Sequence, residues 1–176
     1  MVNSILDLHP RDWPQYFVDL GHKKFYGKIA ARWVFQRGVY DWAEMTDLPA
    51  ALREQLASTP VLDTELIKAS HAEDGARKVL IKLADDSLVE AVCMPGTKGQ
   101  TICISTQVGC AVQCGFCASG MEGLKRNLTQ SEVLQQAFWM RREFGDFHRI
   151  VVMGMGEVGH NLDNVLGALD SLIDEA

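Results

Sequence analysis

The run Thr101-Ile-Cys-Ile-Ser-Thr-Gln-Val108 leads directly into a cysteine loop, Gly109-Cys-Ala-Val-Gln-Cys-Gly-Phe-Cys-Ala118. The first stretch is rich in β-branched residues and therefore predicts a β-strand. The loop is rich in glycine, which lets a backbone turn closely around a bound group. A helix-capping sequence, Asn127-Leu-Thr129, follows it. Strand, loop and helix in this order are typical of a parallel α/β sheet or barrel, whose site lies where the strands end.

The cysteine loop supplies three thiols, Cys110, Cys114 and Cys117, at the spacing C-x3-C-x2-C. A cubane iron–sulfur cluster has four irons, so three cysteines leave one iron open for a small chelating molecule. A structural zinc site would need a fourth Cys or His nearby. No histidine lies between His71 and His148. The pattern favours a 4Fe-4S cluster over zinc or over unrelated buried thiols.

The rest of the chain is organised as helices first and strands afterwards. We predict a helical accessory domain over residues 1–60, a short β-meander with its connector over 61–99, and two βα units over 100–176. The predicted helices are 10–20, 23–37, 49–57, 130–144 and 161–174, and the predicted strands are 65–69, 78–83, 88–94, 101–108 and 149–153. The fold class is α/β. Because a closed barrel has several more βα units, we expect the sequence to be the front part of a larger fold.

Composition limits the possible partners and the compartment. The net charge of −6 argues against indiscriminate nucleic-acid binding. The N-terminus shows no secretory leader, and no apolar run is long enough to span a membrane. The odd number of five cysteines suits a reducing compartment and a metal cluster better than a disulfide framework. We therefore expect a cytoplasmic protein without a membrane partner.

A local basic stripe nevertheless lies in the second predicted helix. Lys24, Lys28 and Arg32 recur every four residues and would share one helix face, with Phe25 and Trp33 interleaved. The stripe is either a nucleic-acid contact or a solvated helix face above packed aromatic residues, and the sequence alone favours the solvated face.

Four motifs together resemble one family. They are Gln107-Val-Gly-Cys110, Cys114-Gly-Phe-Cys117, Gly123-Leu-Lys-Arg-Asn-Leu128 and Val152-Met-Gly-Met-Gly-Glu157. This combination resembles the dual-specificity RNA methyltransferases of the radical S-adenosylmethionine (SAM) superfamily. The resemblance implies a partial radical SAM barrel that methylates C2 of an adenine in 23S ribosomal RNA and in some transfer RNAs. Relatives that methylate C8 of the same adenine share these motifs and remain an alternative.

The N-terminal region resembles the same family. Its segments Phe25-Tyr-Gly-Lys-Ile29 and Glu44-Met-Thr-Asp-Leu48 are similar to those of the family's accessory domain. The resemblance therefore extends over essentially the whole chain. The partners that it implies are 23S ribosomal RNA, transfer RNA and an electron donor such as flavodoxin.

The resemblance also assigns roles to residues. Cys110, Cys114 and Cys117 would hold the 4Fe-4S cluster. Gly156 and Glu157 match the family's SAM-contacting motif, although the surrounding Gly154–Glu157 segment, taken alone, could also be a tight turn after a strand.

Two further positions match the family's catalytic residues. Glu90 resembles the family's proposed proton acceptor, and Cys103 resembles the cysteine that resolves the enzyme–RNA covalent intermediate. From the residues alone, Glu90 is better interpreted as a solvent-facing strand carboxylate, and only its distance along the chain from Cys103, which matches the family, favours the catalytic role. Cys103 could otherwise be a small buried apolar residue.

The sequence departs from the family pattern in two respects. Val158 stands where the family has proline, although Asn161 matches the family's asparagine. The family's methyl-carrying cysteine lies farther downstream than residue 176, so we expect this chain alone to be inactive. A non-catalytic iron–sulfur or RNA-binding fragment, and a small radical SAM enzyme with another substrate, are the alternatives.

Overall fold

The structure is a computed structural model that describes residues 3–175. The chain divides into two compact units. The helical unit runs up to Asp63 and includes the C-terminal stretch from Gly167, and the sheet unit spans Thr64–Leu166. Helices followed by a mixed sheet confirm the predicted α/β class.

The helical unit is built around three short helices. These are α1 (Trp13–Asp19), α2 (Phe25–Ala31) and α3 (Ala50–Leu56). Its core contains Trp13, Phe17 and Leu52, which are fully buried. Burial of these large apolar side chains is the main favourable contribution to folding of such a small unit.

The predicted helix 23–37 changes its winding halfway. After α2 the chain continues as a π-helical turn over Arg32–Gln36, in which Arg37 N–H donates to the carbonyl of Arg32 at 3.1 Å. This wider turn accompanies the burial of two successive bulky residues, Val34 and Phe35. The sequence predicted the extent of the helical segment but not the change in winding.

The sheet unit contains seven strands. They are β1 (Glu65–His71), β2 (Arg77–Lys82), β3 (Leu88–Met94), β4 (Thr101–Cys103), β5 (Gln107–Gly109), β6 (Leu124–Asn127) and β7 (Arg149–Val151). Five of them form one sheet in the order β1-β2-β3-β4-β7. Strands β1 to β4 are antiparallel neighbours, and β7 pairs with β4 in parallel. The meander therefore shares a sheet with the first parallel pair.

The prediction of one continuous strand over 101–108 was wrong. Strand β4 ends at Cys103, and β5 forms a separate two-stranded sheet with β6. Between them the backbone of Ser105 is bound by a side chain, because Gln136 Oε1 accepts from Ser105 N–H at 2.8 Å and Gln136 Nε2 donates to Ser105 C=O at 2.9 Å. Backbone groups satisfied in this way no longer need a strand neighbour, so the chain leaves the sheet.

Two longer helices complete the chain, α4 (Gln130–Phe144) and α5 (Leu162–Glu175). Helix α4 begins as predicted, with a capping box in which Thr129 Oγ1 accepts from Glu132 N–H at 3.2 Å and Glu132 Oε2 accepts from Thr129 N–H at 2.9 Å. None of the helices in the described part of the chain is long and apolar enough to cross a membrane.

Candidate functional site

The cysteine loop is closed by the β5–β6 hairpin. Cys110 N–H donates to the carbonyl of Gly123 at 3.1 Å, so the two ends of the loop are bonded to each other. Within the loop, Cys117 N–H donates to the carbonyl of Cys114 at 2.9 Å. All three thiols are free and partly exposed. The structure thus places the three predicted ligands in one accessible, closed loop.

The donor set of the cysteine loop consists of three thiols and fits an iron–sulfur cluster. Among residues 3–175, no three His, Cys, Asp or Glu side chains are gathered closely enough to hold one metal ion. Iron–sulfur clusters are held by cysteine thiolates. Three soft thiolates without histidine or carboxylate are the ligands that such clusters use. Cys110, Cys114 and Cys117 therefore have the chemistry required.

The loop after β7 lies beside the segment that leads into the cysteine loop. Gly154 N–H donates to the carbonyl of Ile104 at 3.0 Å, and Thr106 N–H donates to the carbonyl of Met155 at 2.8 Å. Ser105 Oγ also accepts from Met155 N–H at 2.9 Å. Ser105 and Met155, which lie 50 residues apart in the sequence, are thus bonded together in space.

Gly156 is held against that same segment. Its φ is +100°, and a Cβ atom added to it would lie 2.6 Å from both Thr106 Oγ1 and Gln107 Cβ. Real Cβ atoms do not approach other atoms this closely, and residues with side chains rarely adopt this φ. The protein itself therefore requires glycine here, whether or not a ligand is bound.

Glu157 is exposed at the end of the same loop. Its N–H donates to Gln107 Oε1 at 3.0 Å, which ties the backbone to the residue that opens β5. Its carboxylate Oε1 accepts from Gly159 N–H at 3.3 Å and so caps the 3-10 turn Val158–His160. The valine that replaces the family's proline starts this turn without disrupting it. The carboxylate has free capacity for a second donor.

Asn161 ties the two loops to the start of α4. It is buried, and its Nδ2 donates to the carbonyls of Thr106 and Leu128, each at 2.8 Å. A buried amide bonded to two backbone carbonyls is costly to remove, because both acceptors would be left unsatisfied. Asn161 therefore positions the segments that flank the cysteine loop.

Glu90 and Cys103 project from one face of the sheet. Cys103 pairs directly with Val92, and Glu90 lies two residues before Val92 on β3. Directly paired residues share a face, as do residues two apart on one strand. This face is partly exposed, whereas Val89, Ala91 and other residues of the opposite face are buried. The structure thus brings both positions to one accessible surface.

Lys78 is a neighbour of Glu90 that the sequence analysis missed. Its Nζ lies 2.8 Å from Glu90 Oε1, and both side chains are roughly half exposed. The pair arises because β2 and β3 form a hairpin in which Leu80 pairs with Glu90. The turn at Asp85-Asp-Ser87 could have indicated this register, since the turn fixes which residues face each other.

Arg126 connects three elements next to the cysteine loop, and its role was also missed. Its guanidinium binds Glu132 of α4 through two contacts of 2.7 Å, and Asp85 of the β2–β3 turn at 3.0 and 3.1 Å. Arg126 holds the pKa of Asp85 well below its usual range, and Glu132 together with Asp85 raises the pKa of Arg126. Its position in the Gly123–Leu128 motif was the only signal in the sequence.

Large apolar side chains on the site's loops are unusually exposed. Phe116, Met121 and Met153 are 94%, 83% and 80% exposed. The first two lie between β5 and β6, and the third follows β7. Exposed residues of this size are typical of surfaces that another molecule or chain segment covers.

The basic stripe on the helical unit is accessible. Lys24, Lys28 and Arg32 are exposed, and none of them has an ion-pair partner among residues 3–175. Phe25 is 47% exposed beside them, whereas Trp33 is partly covered by the guanidinium of Arg37 at 4.2 Å from its ring. The stripe is thus an exposed face with unpaired positive charge.

Comparison with known proteins gives concordant matches. The family model described as "Ribosomal RNA large subunit methyltransferase N-terminal domain" matches residues 3–62. The "Probable dual-specificity RNA methyltransferase RlmN" of Symbiobacterium thermophilum is 45% identical over 157 residues, which cover 86% of this chain and 42% of that protein. A crystal structure of a radical SAM methyltransferase from Sphaerobacter thermophilus superposes with a TM-score of 0.90 at 32% identity, over 96% of this chain and 51% of the other.

These matches confirm the resemblance inferred from the motifs. The chain spans about half the length of the solved relative and 42% of the curated one. Residues 3–62 of the chain match the N-terminal domain of this family.

Proposed function

We propose that this chain, by sequence and fold an N-terminal portion of an RlmN-type radical SAM methyltransferase, provides the cluster-binding and first RNA-contacting parts of an enzyme that methylates C2 of adenine in 23S ribosomal RNA and transfer RNA. The observation that carries the proposal is the closed cysteine loop, whose leading segment, residues 104–107, is bonded to the Gly154–Glu157 loop. The three cysteines that would bind the cluster and the exposed carboxylate of Glu157 therefore lie at the same end of the sheet.

Three residues would hold the cluster and two would contact SAM. Cys110, Cys114 and Cys117 would each bind one iron, and Glu157 would accept hydrogen bonds from the ammonium group of SAM. A 4Fe-4S cluster held there would supply the electron for reductive cleavage of SAM into methionine and a carbon radical. Gly156 keeps the loop close to Thr106 and Gln107 and so fixes where Glu157 stands.

Glu90 and Cys103 would act on the RNA base from the shared sheet face. Glu90 would take a proton from the ring carbon that is methylated, and Lys78 at 2.8 Å would hold its carboxylate in place. Cys103 would attack the cysteine sulfur through which the enzyme holds the base, so that a disulfide forms as the carbon–sulfur bond to the base breaks. Their common face and partial exposure support these assignments.

We place the enzyme in the cytoplasm, with an electron donor of the flavodoxin kind. Support comes from the five cysteines, all of which are free thiols in the structure, because a reducing compartment keeps thiols in this state. A low-potential donor is required by the proposed reaction, since the cluster must be reduced before each cleavage of SAM.

The experiment that tests the proposal is anaerobic reconstitution with iron and sulfide. We expect an oxygen-sensitive cluster with the broad visible absorption typical of 4Fe-4S centres. Replacing Cys110, Cys114 or Cys117 by Ala should remove most of the bound iron. Cys103→Ala, a matched change outside the loop, should keep its iron. Addition of SAM should change the electron paramagnetic resonance spectrum of the reduced cluster.

Two results would count against the proposal. Equal iron content in the triple Ala variant would refute the ligand assignment. A cluster whose spectrum does not respond to SAM would instead favour a non-catalytic iron–sulfur protein.

A further inference from the structure

We infer that the sheet unit carries a second site, which binds a phosphate group at the end of the sheet opposite the cysteine loop. The site is a cavity of about 220 Å³ lined by residues 96–101, His148 and Arg149. It lies where β4 and β7 begin, and we call it the anion pocket. Nothing in the proposed methyl transfer uses these residues.

The anion pocket concentrates positive charge on a chain whose net charge is −6. Lys98 and Arg149 are exposed and line the same cavity. The ring of His148 also lines it and lies against Gly99. In the described part of the chain, neither cation has an ion-pair partner. The nearest acidic residue in sequence, Asp146, is already bound by Arg141 at 2.7 Å. Two cations without a carboxylate partner favour an anionic ligand.

A tight turn holds Lys98 in this position. Gly99 N–H donates to the carbonyl of Gly96 at 3.2 Å, which closes the turn around Thr97 and Lys98. Gly99 has a φ of +110°, and a Cβ atom on it would lie 2.1 Å from Nδ1 of His148. The turn backbone is therefore seated directly on the His148 ring, and only glycine permits this approach.

Backbone donors add to the cationic side chains. Among residues 3–175, the N–H groups of Thr97 and Lys98 take part in no backbone hydrogen bond between elements or turns. Successive turn N–H groups form anion-binding concavities in many proteins. With the hydroxyl groups of Thr97 and Thr101, the pocket offers the donors that a phosphate group requires.

The ligand is a phosphate group, either a phosphodiester of RNA or free inorganic phosphate. If the phosphate group belongs to RNA, the inference rests on the proposed function. If the ligand is free inorganic phosphate, it does not. Strand β7 has three residues and rises about 3.3 Å per residue, so the pocket lies about 10 Å along the sheet from the loop that follows β7. A phosphate bound here would thus anchor its carrier away from the reacting atoms.

The test uses the full 176-residue chain without cluster or SAM. Inorganic phosphate is titrated calorimetrically into the unmodified chain, into Lys98→Ala/Arg149→Ala and into Lys68→Ala/Arg142→Ala. The last variant is the control, because it removes the same charge from two exposed residues of the sheet unit that do not line the pocket. We expect phosphate affinity to fall about tenfold or more in the pocket variant only, from the loss of two charge-assisted contacts.

A second arm replaces phosphate by a single-stranded oligoribonucleotide and measures the salt dependence of binding. If RNA is the source, the pocket variant should flatten the log–log slope by about 0.7 per lost contact relative to the control. If only phosphate binding falls, the site serves the free ion. Equal phosphate and RNA binding by the two variants would overturn the inference.

Folding and the proposed function are checked separately. Circular dichroism of both variants shows whether they unfold at the same temperature, and Lys98→Gln offers a milder change if the double variant is unstable. Because reconstitution depends on the cysteine loop, both variants should take up iron equally. Loss of phosphate binding with normal iron content therefore supports the pocket, and failure of the cluster assignment would leave this result intact.

Discussion

Gly156 and Asn161 show how single residues keep the two loops of the site together. Gly156 touches the side chains of Thr106 and Gln107 with no room for a Cβ atom. Asn161 binds the backbone on both sides of the β5–β6 hairpin. Gly156 matches a motif whose family role is SAM contact, and Asn161 matches the family's asparagine, yet each already has a structural function in the protein alone.

Replacing Gly156 by Ala should therefore destabilise the sheet unit without any ligand present. We expect a loss of about 1–3 kcal/mol in the free energy of unfolding, from the positive φ and the contact with Gln107. Chemical denaturation of the apo chain measures this. Gly159→Ala is the control in the same loop, because its added Cβ would find its nearest neighbour at 3.9 Å. Equal stability of the two variants would contradict the packing role of Gly156.

At the scale of elements, Arg126 joins β6, α4 and the β2–β3 turn. Glu132 is the more buried of its two partners, with a side chain 10% exposed, whereas Asp85 is 40% exposed. The same Glu132 completes the capping box of α4. The start of α4 and the end of the cysteine hairpin are thus fixed by one ionic cluster, whose strength depends on pH.

Asp85→Asn tests this cluster by its pH dependence. The hydrogen bond from Arg126 lowers the pKa of Asp85, burial opposes the shift, and bonds from Ser87 add to it. A pKa lowered by folding stabilises the protein above the unfolded pKa and loses this effect as the pH falls towards the folded value. At neutral pH we expect Asp85→Asn to lower the free energy of unfolding by about 1 kcal/mol or less, the size expected for a partly exposed ion pair.

The difference in stability should begin to shrink below about pH 4, where carboxylates of unfolded chains become protonated. Urea denaturation between neutral and acidic pH measures it. Asp86→Asn is the matched control, since Asp86 is 89% exposed in the same turn and lies 3.9 Å from Lys82. A gap that stays constant across this range would show that Asp85 does not contribute through its charge.

The basic stripe on and beside α2 leads to a prediction for RNA binding. Changing Lys24, Lys28 and Arg32 together to Ala should flatten the salt dependence of RNA binding by about 0.7–1 log–log unit per lost phosphate contact, the lower value applying to single strands. The structure supports the test because all three side chains are exposed on the surface. If the slope matches that of Lys68→Ala/Arg142→Ala after correction for the number of charges removed, the stripe is only a solvated face.

At the scale of the whole molecule, the five-stranded sheet contains one parallel pair of strands, β4 and β7. Strand β7 is the last strand of the order β1-β2-β3-β4-β7, so one of its edges has no strand neighbour within the described residues. Phe116, Met121 and Met153 are exposed around the same loops. Exposed edges and apolar residues of this kind leave a bound reactive group open to solvent.

We therefore expect the 176-residue polypeptide, reconstituted and reduced, to form no methyladenosine when supplied with SAM and unmodified RNA. Slow cleavage of SAM to 5′-deoxyadenosine is the most activity that an open site should support. Incubation with methyl-labelled SAM followed by nucleoside analysis measures both products. Catalytic formation of methyladenosine by this polypeptide would require a route that does not use the family's methyl-carrying cysteine.

The sequence by itself determined the features that depend on neighbouring residues. The cysteine loop, the capping box at Thr129 and the limits of α4 follow from local spacing and capping rules, and the structure has them as predicted. The meander was also predictable, because alternating residues and turn signals specify a hairpin locally. The family resemblance rests on equally local motifs.

Only the tertiary structure decided where distant segments meet. The break after β4 depends on Gln136, which lies 31 residues beyond Ser105. The ion pair between Lys78 and Glu90 and the contacts of Arg126 depend in the same way on how strands and helices pack. Backbone and charged groups must find partners somewhere, but spacing along the chain specifies only the near ones. The far partners follow from the packed fold.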